Sequence, residues 1–196
     1  MSRRALTRPD TTELPAASTR EQSVRAARRL IQTRSYLGFS FQDVADAVGV
    51  RKPSLYHHFP SKEALAAQVL GEAADAFRQW AASIPERAPT DRLNAYFAMY
   101  RNDIRASERM CPGGSFVAGW DCIDDSLRRA VREIRADQVL WLTGVLGAAL
   151  PAGKPVSALA NYVYASCQGA LTTARITGRV EDYDEVIAQV KQALFS

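Results

Sequence analysis

From about residue 19 onward, apolar residues recur at steps of three and four, the spacing of amphipathic helices. No pair of alternating segments points to strands. Thr19 with Gln22 three residues on has the form of a capping box. Val24, Ala27 and Ile31 then line one face of a first helix, while Arg25, Arg28 and Arg29 lie on others; Gly38 stands where that helix and its turn end. Ser40 opens a short second helix, Phe41–Val48, and Gly49 stops it. A third runs through Phe59, with Pro53 tolerated because the first turn of a helix has no use for its missing N–H. Ser61 caps a fourth, with Glu63 near its positive end, which continues to about Ile84 before Pro85 and Pro89. Further helices are predicted over about Asp91–Ser107, from the Cys111–Gly114 turn through Trp120, over Asp125–Leu150 and over about Val156–Thr177, where Gly178 ends the run. A last helix carries Tyr183, Ile187, Val190 and Leu194 on one face. Residues 1–17, rich in Arg, Thr, Pro and Ala without a period, read as a disordered arm. The pattern predicts an all-α chain with a small helical head and a larger helical body.

Charge sharpens that division. Residues 1–62 carry eleven Lys+Arg against five Asp+Glu, whereas residues 63–196 carry fourteen against sixteen. The net charge of +4 therefore sits on the head, as expected where a head meets nucleic acid; a basic arm without a partner is the plainer alternative. Hydrophobic residues at 47% supply a core for a chain of 196 residues. Three cysteines form neither a CxxC nor an even framework, which suits an intracellular protein with free thiols. Met1–Ser18 is polar, and the longest near-continuous apolar run, Val139–Leu150, is too short to span a bilayer. A soluble cytoplasmic protein without a membrane partner is expected.

The strongest local signal lies between Val44 and Leu55. Two helices crossing in a tight helix-turn-helix need a small residue at the crossing, Ala45, and a residue indifferent to positive φ at the turn, Gly49. Val44, Val48, Val50 and Leu55 fill the wedge between them. The second helix of such a unit enters the major groove, while the first crosses the backbone. Its remaining surface is Arg51, Lys52, Pro53, Ser54, Tyr56 and His57. Arg51 and Lys52 can donate to guanine or phosphate, Ser54 to either, and Pro53 can meet a thymine methyl. Tyr56 presents a hydroxyl, and Lys62 a charge, at the height of the phosphates. A helical hairpin packed against something else is the alternative. His57 and His58 lack carboxylate or thiolate help in sequence reach, so no metal is expected.

The run Phe41–Leu65, and above all Leu-Tyr-His-His-Phe-x-Ser-Lys-Glu-x-Leu over residues 55–65, resembles the TetR/AcrR family of regulators, with the likeness covering about Thr19–Leu70. The resemblance implies about nine helices, with an HTH DNA-binding domain over residues 18–63 and a ligand-binding and dimerisation domain over 64–196. It further implies a homodimer through the two C-terminal helices, double-stranded operator DNA as one partner and a small-molecule effector as the other. By match to the motif, Ser40 and Gln42 fall at backbone-contact positions, and Tyr56 and Lys62 at phosphate-contact positions. Arg51, Lys52, Pro53, Ser54 and His57 fall at base-facing ones, where Pro53 replaces the more usual small residue. A ligand-responsive repressor follows, with an activator or architectural protein on the same fold as alternatives that sequence does not separate.

The body holds no catalytic arrangement. Gly113-Gly114-Ser115-Phe116-Val117 lacks the glycine two residues after serine that a nucleophile elbow needs, and no glycine-rich phosphate loop appears. No catalytic residue and no cofactor is expected; Asp121, Asp124 and Asp125 read as helix-capping groups. Aromatic residues at helical spacing are core or pocket wall, and Tyr100, Phe116, Trp120, Trp141 and Tyr164 are the candidates for an effector pocket. The run Met110–Phe116 followed by Ser126–Val131 resembles a subgroup in which a cysteine at this turn answers electrophiles or oxidants. Cys111 lies ahead of a helix N-terminus beside Arg109, both of which activate a thiol, so a reactive Cys111 stands against a packed one. A thiol-dependent enzyme would need a base that the sequence does not place nearby. The last two helices carry small residues at Ala158, Ala165, Gly169 and Ala170, and apolar ones at Leu159, Val163, Ile187, Val190 and Leu194, for a four-helix dimer interface or for internal packing.

Overall fold

A computed structural model describes residues 17–107 and 109–196, and the N-terminal arm expected over 1–17 lies almost wholly outside them. Every regular element among the described residues is helical, as the periodicity predicts. The helices are α1 (Thr19–Arg34), α2 (Phe41–Val48), α3 (Lys52–Tyr56), α4 (Lys62–Ala82), α5 (Pro89–Ser107), α6 (Asp125–Ala149), α7 (Val156–Thr177) and α8 (Val180–Phe195), with a 3₁₀ segment over Gly114–Cys122 before α6.

Most boundaries follow from local chemistry. The Ser40 hydroxyl accepts from the Asp43 N–H, and the Asp43 carboxylate returns a bond to the Ser40 N–H, closing a capping box at the start of α2. The same device opens α1 one residue earlier than the sequence suggests. Ser18, not Thr19, is the cap and Glu21, not Gln22, answers it, because a carboxylate accepts from the cap N–H more strongly than an amide. Asp124 caps α6 through the Leu127 N–H at 2.8 Å. The third helix stops at Tyr56 instead of Phe59, since Phe59 turns inward to the core.

The cores do not divide at residue 63. Helix α4, 21 residues and about 30 Å long, lends Leu65, Ala66, Val69, Leu70 and Ala74 to the head core and Phe77 to the body core. The head core also takes Phe116, Ile123, Leu127 and Ile134 from the body.

Within the body, α5, α6, α7 and α8 enclose a second core rich in rings. A buried polar hub there is Gln138, whose Oε1 accepts from the Tyr96 hydroxyl at 2.9 Å and from the Tyr100 hydroxyl at 2.6 Å. Burial raises the pKa of both phenols, so both remain donors. Tyr183 donates to the Phe97 carbonyl at 2.9 Å, and a two-bond Arg101–Asp184 fork adds a second tie between α5 and α8. Replacing Gln138 by Leu strips both phenols of their acceptor in a dry site. Urea unfolding is expected to register a loss of about 2–4 kcal/mol. A loss below roughly 1 kcal/mol would mean that the phenols are satisfied elsewhere.

Candidate nucleic-acid interface

The wedge between α2 and α3 is closed by residues with no exposed surface: Val44, Ala45 and Leu55. Val48 and Val50, expected in the same wedge, are only half-buried at its edge. Gly49 has φ +74°, ψ +30°, the left-handed conformation that the turn requires, and its N–H reaches back to the Asp46 carbonyl. A side chain there would meet no neighbour, so the demand for glycine is conformational and not steric.

This wedge turns one face of α3 outward. Arg51, Lys52, Pro53, Tyr56 and His57 are exposed and Ser54 is half-buried. Neither Arg51 nor Lys52 has a carboxylate partner among the described residues. Tyr56 lays its ring on Phe41, centroids 5.0 Å apart, which leaves its hydroxyl end outward. Of the first-helix positions, Gln42 is exposed and donates to Asp46, while the Ser40 hydroxyl is already committed to the cap.

Lys62 is differently placed from the others. Its Nζ donates to the Phe39 carbonyl at 2.6 Å and sits 4.4 Å from the ring centroids of Tyr36 and Phe39. Burial lowers its pKa. The ammonium pins the start of α4 to the α1–α2 turn, and a phosphate has to share it.

The centre of that junction is Tyr36, a residue the sequence gives no reason to single out. It is 4% exposed. Its hydroxyl donates to Glu63 at 2.9 Å, its N–H donates to the Ser115 carbonyl at 3.2 Å, and its ring stacks on Phe116 with centroids 5.1 Å apart. Burial first, then the bond to Glu63, raises its pKa, so it stays a donor. Gln32 and Met110 exchange two further bonds, at 3.0 and 3.1 Å, across the same seam. Gly119 lets Leu37 close on the 3₁₀ segment, since a Cβ there would stand 2.8 Å from Leu37 Cγ.

The candidate pocket residues separate into three groups. Trp120 and Tyr164 face one cleft of about 520 Å³ between α6 and α7, beneath the 3₁₀ segment. Tyr100 lines a smaller cavity of about 260 Å³ with Phe77 and Trp80. Trp141 packs against Phe77, Trp80 and Tyr96 and lines neither. Phe116 is fully buried under Tyr36; it is head–body core and not pocket wall. Cys111 is 1% exposed, with the Tyr100 hydroxyl 3.7 Å from its sulfur, a packed thiol that a reagent reaches only after the turn opens. Among the described residues no group of three or more His, Cys, Asp or Glu is arranged to hold a metal ion.

Residues 24–69 match the model for bacterial regulatory proteins of the tetR family. The chain is 28% identical over 183 residues to the HTH-type transcriptional repressor DhaR of Mycobacterium sp. (strain GP1), spanning 89% of this chain and 91% of that protein. It is 30% identical over 119 residues to the HTH-type transcriptional regulator LmrA of Bacillus subtilis, covering 58% and 63%. A TetR transcriptional regulator from Legionella pneumophila superposes with a TM-score of 0.86 at 25% identity, over 92% of this chain and 99% of that one.

The Tyr36 junction yields a direct test. Tyr36→Phe keeps the stack on Phe116 but removes one donor from the half-buried Glu63 carboxylate, which also accepts from its own N–H and from Ser61. A loss of about 1–2 kcal/mol in urea unfolding is expected, and Tyr36→Ala, which also opens a cavity beside Phe116, is expected to cost about 3–5 kcal/mol. Equal losses for the two would show that the stack contributes nothing.

Proposed function

The chain belongs to the tetR family of bacterial regulatory proteins, and we propose that it is a ligand-responsive transcriptional repressor which reads a palindromic operator as a dimer. The observation that carries this reading is the outer face of α3. Arg51, Lys52, Pro53, Tyr56 and His57 stand exposed there on a helix held rigid by the buried Val44–Ala45–Leu55 wedge. In this reading Arg51 and Lys52 reach base edges or phosphates and Pro53 meets a thymine methyl. Ser54 and His57 complete the base-facing surface, while Tyr56, Gln42 and the start of α4 with Lys62 meet the backbone. Residues 18–63 form the reading head, and residues 64–196 the ligand-binding and dimerising body.

A second copy docks along α7 and α8. Ala158, Tyr162, Ala165, Gly169 and Ile176 form an exposed stripe on α7 at steps of three, four and seven, and small residues in it allow close approach of two helices. Ala170, Val163, Ile187, Val190 and Leu194 face inward and serve internal packing instead. A two-fold dimer sets its recognition helices about 34–36 Å apart, one turn of DNA.

Release follows from differential affinity. A small organic molecule in the body cavities favours the arrangement with the heads misplaced, and shifts the population only by the ratio of its affinities for the two states. The segment 110–120 touches both the cleft and Tyr36, so occupancy and head position are joined by contact. No helix among the described residues is long and apolar enough to cross a membrane, which supports a cytoplasmic place of action. The role in this reading is regulatory, which fits Cys111 as a buried thiol packed beside the Tyr100 phenol.

Fluorescence anisotropy with DNA from immediately upstream of the protein's own gene tests this. Binding is expected to exceed that of scrambled DNA and to weaken steeply with salt. Lys52→Ala is expected to weaken all sequences alike and to lower the salt slope by about one unit, and Arg51→Ala to cost about 1–3 kcal/mol and relax discrimination at one base. Identical affinity for scrambled DNA and for sequences drawn from the genome would refute it. For the dimer, Ala165→Arg in the α7 stripe is expected to sediment as a folded monomer; an unchanged dimer would move the interface elsewhere.

A further inference from the structure

We propose that the cleft between α6 and α7 binds an organic anion, a carboxylate carried on an aromatic or short apolar body. This rests on the ligand-responsive reading above and names the chemical class of the ligand.

Arg132 and Arg135 lie three residues apart on α6 and both line the cleft. Among the described residues neither engages a carboxylate, and none of the cleft's lining residues is Asp or Glu. Like charges at this helical spacing oppose each other. Here they stand over the aromatic walls: the Arg132 guanidinium is 5.3 Å from the Trp120 ring centroid, and that of Arg135 is 5.5 Å from Tyr164. Arg135 also donates to the neutral amide of Asn161. Two forked donors without an acid between them make a site for a planar anion.

A buried donor points the same way. Gln168 Nε2 is shut from solvent and has no hydrogen-bond partner, and Gln168 lines the cleft. A buried amide N–H without an acceptor is costly, and a ligand oxygen supplies one. Gly114 makes room for this side chain, since a Cβ there would stand 3.0 Å from Gln168 Oε1. The remaining walls are apolar: Met110, Val117 and Val131, besides the rings of Trp120 and Tyr164. A cleft of about 520 Å³ accommodates a ligand of drug-like size. An amine is repelled by both arginines, and a neutral acceptor gains less from them than an anion does. A carboxylate engages the two guanidiniums, and the Gln168 amide once that side chain turns toward the ligand, while its apolar body lies between the rings.

Calorimetry of the full chain tests this with matched probes: benzoate, 4-phenylbutyrate, 2-naphthoate and octanoate, each beside its primary amide. At least one carboxylate is expected to bind one per chain, about tenfold or more tighter than its amide, and to quench tryptophan emission through Trp120. Arg132→Gln with Arg135→Gln, both on exposed positions outside the core, is expected to abolish the preference for the acid. Gln168→Leu is expected to weaken the acid several-fold. The proposal is overturned if acids and amides bind alike, if the preference survives the double arginine variant, or if no carboxylate of the set binds below about 1 mM. A parallel titration with labelled operator DNA separates the two readings. A carboxylate that occupies the cleft without loosening DNA upholds the site and refutes ligand response. Release by neutral compounds, indifferent to Arg132 and Arg135, upholds ligand response and overturns the anion site.

Discussion

The ring of Tyr36 stacks on Phe116 while its hydroxyl holds Glu63 and its N–H holds the Ser115 carbonyl. Three separate pieces of chain thus meet on one side chain: the turn after α1, the start of α4 and the 3₁₀ segment of the body. The rest of the structure depends on this fastening, because the head alone is too small to bury much apolar surface. It completes its core by borrowing Phe116, Ile123, Leu127 and Ile134 from the body and by sharing α4 with it. A head built in this way cannot change its angle without disturbing contacts beside the α6–α7 cleft.

That constraint gives each polar group in the interior a place in the account. Gln138 ties α6 to two phenols of α5, and the Arg101–Asp184 fork ties α5 to α8, so the far side of the body is stiff. The side nearer the head is different. There an open cleft holds an unpartnered amide and two arginines without acids. The unsatisfied half suits a ligand. Cys111 sits between them with its thiol covered, where packing against Tyr100 accounts for it.

The local devices were legible in the sequence and the non-local ones were not. Gly49, Ala45, Val44 and Leu55 act within one turn of chain, and the structure has them as their spacing requires. The Ser40 cap, the Gly178 stop and the inward face of Tyr183, Ile187, Val190 and Leu194 are likewise short-range. The first cap falls one residue before Thr19 because Ser18 with Glu21 and Thr19 with Gln22 offer the same pattern, and only carboxylate against amide separates them. Phe116 has the look of a pocket aromatic, and its burial under Tyr36 depends on a partner 80 positions away. Gln138 falls in step with Leu127, Val131, Ile134, Trp141 and Val145, but that it holds two phenols depends on the packing of α5. Spacing gives Arg132 and Arg135 no distinction, for their lack of acidic neighbours among the described residues is a property of packed helices.

Whether α3 reads DNA as one half of a two-fold pair is decided by selection from random-sequence DNA with the full chain. An enriched inverted repeat is expected, its half-sites about one helical turn apart. A selection that yields no motif, or a single unrepeated half-site, would contradict the two-fold reading.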